Sequence, residues 1–182
     1  MIETPRLILR PWTDADVGEF IRVTNTPAVM EYLGGVADEG AIRATVARIM
    51  ANEHAHGFCF WLMERRADRA LLGFCGLRIG TAGPVTGEME IGWRLRQDAW
   101  GRGYAREAAQ ASLDWAWRNR DCARIFAITV PDNRPSWGLM ERLGMRRRAD
   151  LDFDHPNFTP GHPLCAHITY CIERCIDPAD GT

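Results

Sequence analysis

The run Trp100-Gly101-Arg102-Gly103-Tyr104-Ala105 follows an apolar, strand-like stretch, Met89 to Leu95, and opens an alanine-rich helix. Gly101 and Gly103 lack a Cβ, so the backbone can bend tightly and press its N–H groups against an anion, while the new helix adds the positive end of its dipole. The chemistry this arrangement suits is the gripping of a pyrophosphate. Arg102 and Arg106 place guanidinium groups beside the same turn, where phosphate oxygens would meet them. Two common nucleotide cradles do not match. A P-loop needs Gly-Lys-Ser/Thr, and the chain contains no lysine, all 22 residues counted as lysine or arginine being arginine. A dinucleotide fingerprint needs a third glycine three residues after the second, and that position is Arg106.

Asn133-Arg134-Pro135-Ser136 is a second helix start, after the β-rich run Ile125 to Val130. Asn133 is a good N-cap, Pro135 suits a first turn, and Gly144 can close the helix in the left-handed region. The strand Glu90-Ile91-Gly92-Trp93-Arg94-Leu95 and the N-terminal Thr4-Pro5-Arg6-Leu7-Ile8-Leu9-Arg10-Pro11 complete the set. Together these segments resemble the GNAT superfamily of N-acetyltransferases. The glycine turn is similar to its Q/R-x-x-G-x-G/A acetyl-CoA loop, with Asp98 in the first slot and Gln97 one position early. The Asn133 segment is similar to its N-x-x-S/A helix start. Trp-Gly-Arg-Gly-Tyr-Ala and the Glu-Ile-Gly-Trp strand resemble the branch that includes the Rim-type ribosomal-protein N-terminal acetyltransferases. The likeness runs from about Thr4 to the strand near Tyr170.

That resemblance implies an α/β (α+β) fold with a single GNAT-like domain over residues 1–182, its motif-bearing core at about 4–174. It implies a mixed, mostly antiparallel sheet of six to seven strands, with a splayed parallel central pair and flanking helices. Acetyl-CoA is the implied co-substrate, lying in the gap between Met89–Leu95 and Arg124–Val130. Trp93, Leu95, Gly101, Arg102, Gly103, Tyr104, Ala105, Asn133 and Ser136 are the residues expected to meet it. The implied activity is direct acetyl transfer, in a ternary complex, to a primary amine on a small molecule or a peptide N-terminus.

Such transfer needs a base for the ammonium and a group to protonate or steady the leaving thiolate. Glu90, on the cofactor strand, is the expected base. Glu88 shares its face by period-two alternation and is the substitute. Many relatives place a tyrosine in the Asn133 helix as acid; here the slot is Met140, so Ser136 takes that role. The competing reading is a non-catalytic acyl-CoA-binding or protein-interaction module of the same fold, with Asp98 and Met140 as its motif departures. Asp150, Asp152 and Asp154 alternate, which on a strand puts three carboxylates on one face. They could draw a cationic acceptor such as a polyamine, an aminoglycoside or a peptide N-terminus, or form a solvated, charge-protected edge. His155 beside them is either a second base or a surface residue of a proline-bounded loop.

Bulk properties narrow the rest. A length of 182 residues suits one domain. A net charge of -2 and a pI near 6.2 point away from nucleic acid. No signal peptide or membrane-length apolar run is legible, so a cytoplasmic enzyme without membrane or nucleic-acid partners is expected. Seven tryptophans leave room for a homodimer interface. The cysteines at 59, 75, 122, 165, 171 and 175 lack C-x-x-C spacing and read as buried reduced thiols. Neither His162, Cys165 and His167 nor His54 and His56 completes a tetrahedral set, so no metal is expected.

Periodicity supplies the elements around these motifs. Strands are expected at Leu7–Pro11, Phe58–Glu64, Leu71–Ile79, Met89–Leu95, Arg124–Val130, Met145–Asp154 and His167–Glu173. Helices are expected at Asp14–Asn25, capped by Thr13 or Asp14, at Asp38–Ala55, at Tyr104–Arg118 and at Arg134–Leu143. Phe58–Glu64 and Leu71–Ile79 should form an antiparallel hairpin. The crossover helix makes the strands on either side of it parallel.

Overall fold

A computed structural model describes residues 1–174. Cys175 therefore lies outside the described residues. One curved path of strands runs through the molecule in the order β1 (Ile2–Glu3), β2 (Leu7–Arg10), β3 (Phe60–Arg65), β4 (Leu71–Ile79), β5 (Met89–Leu95), β6 (Arg124–Thr129), β9 (Ala166–Glu173) and β7 (Arg146–Arg147). A short β8 (Phe153–Asp154) pairs with β9 off that path. Six of these strands have four residues or more, and the other three have two each. Every pairing is antiparallel except that of β5 with β6.

The helices are α1 (Asp16–Thr24), α2 (Pro27–Met30), α3 (Glu39–His56), α4 (Tyr104–Asn119) and α5 (Arg134–Arg142). Neighbouring residues of β4 show which helix covers which face, because successive side chains of a strand point to opposite sides. Cys75 meets Ser112 of α4, whereas Phe74 meets Phe20 of α1 at 5.9 Å between ring centroids. The small face of α4, Ala108, Ala109, Ser112, Leu113 and Ala116, is buried on the sheet. Its Ser112 hydroxyl donates to the Ala108 carbonyl at 2.8 Å, so no polar group is stranded there.

Local chemistry sets the element ends. Asp38 caps α3 by accepting from the Ala41 N–H at 2.8 Å, and Gly57 closes the helix in the left-handed region at φ 74°. Residue Ala15 precedes α1 without a side-chain cap. The cap expected from Thr13 or Asp14 is replaced by Asp16, whose Oδ2 accepts from both the Thr13 N–H and the Thr13 hydroxyl.

The strand expected at Met145–Asp154 is broken. It resolves into β7, a 3-10 turn at Ala149–Leu151 and β8. The pleat is lost because its carboxylates turn to local partners: Asp150 pairs with Arg148 at 2.7 Å, and Asp152 pairs with Arg147 and accepts from the Thr169 N–H at 3.2 Å. These ion pairs hold both carboxyl groups below the usual carboxylate range. The three aspartates therefore do not form one acidic strand face.

Candidate active site

β5 and β6 pair at a single position, Glu90 with Phe126, and then separate. Beyond that point β5 is held by β4 and β6 by β9, so their facing edges carry backbone groups with no partner strand. A cleft of about 470 Å³ opens in this gap and continues over the α1–α3 side of the sheet. Its walls include Gly92, Trp93 and Arg94 of β5, Ile128 and Thr129 of β6, Asn133, Ser136 and Met140 at α5, and His155 and His167 from the C-terminal segment.

At the C-terminal end of β5 the chain folds back, the Trp100 indole N–H donating to the Leu95 carbonyl at 2.9 Å. It then turns through Gly101 at φ 72° and Gly103 at φ 79°, both in the region where a Cβ is strained. The consecutive N–H groups of residues 101 to 106 find no acceptor among the described residues, the first helical bond being that of Glu107 to the Gly103 carbonyl at 3.1 Å. Gly103 itself offers no side-chain cap. Such a bare run at the start of a 16-residue helix has the donor geometry that suits an anion. Arg102 and Arg106 are exposed beside it and form no ion pair with a described carboxylate. Arg6 braces the turn from outside, its Nη1 donating to the Arg102 carbonyl at 3.0 Å and its Nε to Glu107 at 2.6 Å.

The expected cofactor residues divide by what they expose. Gly101, Arg102 and Gly103 stand open, and Trp93, Asn133 and Ser136 line the cleft. Leu95 and Tyr104 instead turn their side chains into the core, with Arg6 4.7 Å from the Tyr104 ring centroid, and Ala105 packs against the same core. These three can offer the loop only main-chain groups. Asn133 accepts from the Ser136 N–H at 3.3 Å, which orients the first turn of α5.

Glu90 is 5% exposed and reaches the cleft. Both its oxygens accept from Arg78 Nη2, at 2.8 and 2.9 Å. Burial pushes its carboxyl above the ordinary value although the Arg78 charge opposes this. Glu88 shares its face but sits two residues further from the gap, outside the cleft lining, where it pairs with Arg124 at 2.8 Å. The His155 and His167 rings meet at 4.7 Å between centroids with their planes tilted by 41°, and burial lowers both, leaving them neutral at pH 7. His155 is thus part of the cleft wall, placed there by β9 rather than by its own loop.

Sequence reasoning missed Arg48, Arg78 and Arg94, which also line the cleft. The signal for Arg94 was present: it shares the strand face of Glu90 and Gly92, and an arginine on that face of a buried strand needs a reason. Phe60 and Phe74 stack at 5.1 Å and 5° under the cleft, with Arg78 5.4 Å from the first ring centroid and Arg94 5.5 Å from the second. Thiols play no visible part; the five described cysteines are unpaired, and burial pushes Cys75 up to about 12. Among the described residues no group of three or more His, Cys, Asp or Glu could hold a metal, and no helix is long and apolar enough to cross a membrane.

Comparison with known proteins gives the class. Residues 6–146 match the family model for the acetyltransferase (GNAT) domain. The uncharacterized N-acetyltransferase YnaD of Bacillus subtilis is 33% identical over 147 residues, which is 80% of this chain and 82% of YnaD. The crystal structure of an acetyltransferase from Agrobacterium tumefaciens superposes with a TM-score of 0.77 at 27% identity, covering 95% of this chain and 94% of that one. RimL, a ribosomal L7/L12 alpha-N-protein acetyltransferase solved with coenzyme A, shares the fold with a TM-score of 0.73 at 17% identity, over 93% and 95% of the two chains. The chain belongs to the GNAT acetyltransferase family, and with it to the N-acetyltransferases.

Proposed function

We propose that the protein transfers the acetyl group of acetyl-CoA to a primary amine directly, with both substrates bound at once. The observation that carries this reading is the run of unpartnered amides at residues 101–106, set at the mouth of the gap between β5 and β6. A diphosphate needs such a cradle, and a pantetheine arm, with its two amides, suits strand edges that have lost their own partners.

Acetyl-CoA brings the activated acetyl group as a thioester. The chain's own residues do the rest. The N–H groups from Gly101 to Arg106 hold the diphosphate, with Arg102 and Arg106 beside it. A β5 amide near Trp93 points its dipole where negative charge develops on the carbonyl oxygen. Glu90 takes the ammonium proton, directly or through a water; its raised proton affinity brings it nearer to the working pH of a base. The nitrogen then bonds to the carbonyl carbon as the carbon–sulfur bond breaks. Ser136, half-buried across the gap, donates a hydrogen bond to the departing thiolate, which takes up the second proton that the nitrogen sheds as the amide forms.

Release of free thiol from acetyl-CoA, followed with and without a panel of amines, tests the reading. Amine-dependent release is expected, together with saturable coenzyme A binding in calorimetry. Binding without turnover on any amine would leave a carrier module in place of an enzyme; no binding at all would remove the cradle.

A further inference from the structure

The acceptor side of the cleft is electrostatically lopsided. Its charged lining consists of Arg48, Arg78 and Arg94 against one carboxylate, Glu90, while His155 and His167 are neutral. Glu90 is already engaged by Arg78, so one of the three cations is matched. Arg94 is not matched. Its Nε and Nη1 are buried with no hydrogen-bond partner among the described residues, and only the faces of Phe20 and Phe74, at 5.7 and 5.5 Å, attend the charge. Burial alone pulls the guanidinium down to about 10, with no carboxylate to raise it again, and it still carries its proton at pH 7.

Arg94 is half-buried, and two sealed guanidinium nitrogens without partners are costly, because each unmade charged hydrogen bond forfeits its solvation. Such a group persists where a ligand completes it. The diphosphate does not do so. Arg94 lies on the α1–α3 face of β5 with Phe20 and Phe74, whereas the amide cradle opens beyond Leu95 at α4. Along the strand, Arg94 stands four residues from Glu90, about 13 Å at ~3.3 Å per residue. The attacking amine belongs between these two, beside Gly92 and Trp93.

Resting on the acetyltransferase reading above, we propose that the acceptor is a small amino-acid-like zwitterion whose carboxylate is held by Arg94 while its amine faces Glu90. A cavity of about 470 Å³, shared with a pantetheine arm, leaves room for a small molecule. A polyamine or an aminoglycoside would bring further cations against Arg94 and Arg48. With Asp150 and Asp152 bound to their own arginines, no acidic strand face offsets that repulsion.

The test is acetyl transfer to the common L-amino acids, to the same amino acids as carboxamides, to spermidine and to a neutral peptide amide. At least one free amino acid should exceed its carboxamide in kcat/KM by roughly ten- to hundredfold, the span of a charged hydrogen bond. Arg94→Met should erase that preference and leave coenzyme A affinity unchanged; Arg94→Lys should restore part of it, since the charge returns without the fork. The methionine variant replaces a half-buried, unpaired charge with an apolar chain and should melt no lower than the parent. Equal rates for acid and amide, or spermidine or the peptide as the best acceptor, would overturn the inference while leaving the enzyme in place. Loss of coenzyme A affinity in Arg94→Met would reassign the residue to the cofactor. Transfer to no amine at all would remove the acetyltransferase reading and this inference with it.

Discussion

Gly103→Ala separates the cost of backbone strain from the cost of bulk at the proposed diphosphate cradle. Gly103 has φ 79°, and a Cβ there would lie 3.3 Å from Arg6 Nη2, the far end of a flexible side chain. Arg6 can give way by a few tenths of an ångström, so the steric part is small. The left-handed conformation dominates, at about 1–2 kcal/mol for a residue with a Cβ. Where that cost is read depends on whether the turn relaxes. If the hydrogen bonds from Arg6 to Arg102 and from Trp100 to Leu95 hold the turn, stability falls, by roughly 2–4 °C per kcal/mol in a chain of this size. If the turn relaxes, coenzyme A must restore it on binding, and affinity falls about 5- to 30-fold. The amides between 101 and 106 are bonded to nothing else among the described residues, so most of the cost should appear in affinity. Calorimetric titration with coenzyme A and thermal melts together read both shares. Gly101→Ala, at φ 72° with open space around the added carbon, should behave alike. Gly87→Ala, at φ 83° and equally uncrowded but outside the cleft, should lower the melting temperature and leave affinity alone. Affinity within about twofold of the parent in both loop variants, together with unshifted melting temperatures, would refute the claim that the cradle depends on left-handed glycines.

Other expected outcomes follow from the same geometry. Glu90→Gln should lower kcat by roughly 10²- to 10⁴-fold, the usual worth of a general base, with coenzyme A affinity in calorimetry nearly unchanged. Ser136→Ala removes one hydrogen bond to the leaving sulfur and should lower kcat about 2- to 12-fold in steady-state assays, from ~0.5–1.5 kcal/mol. Asn133→Ala deletes the α5 cap at a cost of about 1 kcal/mol and should lower the melting temperature by ~2–4 °C. His155 and His167 both titrate below their ordinary value of 6.5 in the folded state, so the unfolded chain binds more protons; their contribution is present above pH 6.5 and lost as the pH falls below it. Replacing both with asparagine should flatten denaturant-measured stability across that acid limb.

The motif strand, the glycine turn and the two helix starts were legible in order because each depends on local chemistry. Strand β5 runs over Met89–Leu95 as its apolar pattern implies, and α4 begins at Tyr104 directly after Gly103. The α4 face of small residues lies buried, as its spacing of three and four requires. The Met145–Asp154 segment failed because alternation of acidic and apolar residues was read as a pleat, whereas Arg147 and Arg148, two to five positions away, bind the carboxylates and turn the chain. The four-residue α2 was invisible for a different reason: its Thr26 cap and Pro27 look the same at the start of a loop.

By itself the sequence determined which backbone segments could grip an anion and which carboxylate stood on the cofactor strand, since glycine placement and period-two alternation are properties of adjacent residues. Only the tertiary structure decided what surrounds those groups. Sheet register brings Arg78 opposite Glu90, the packing of α1 and β4 leaves Arg94 half-buried against Phe20 and Phe74, and β9 carries His167 to meet His155. These partners lie far apart in the chain, and burial sets both the proton affinity of Glu90 and the unmet charge of Arg94. Charge count along a sequence cannot show either, because the free energy of a charge depends on the solvent and counter-charges that folding removes or supplies.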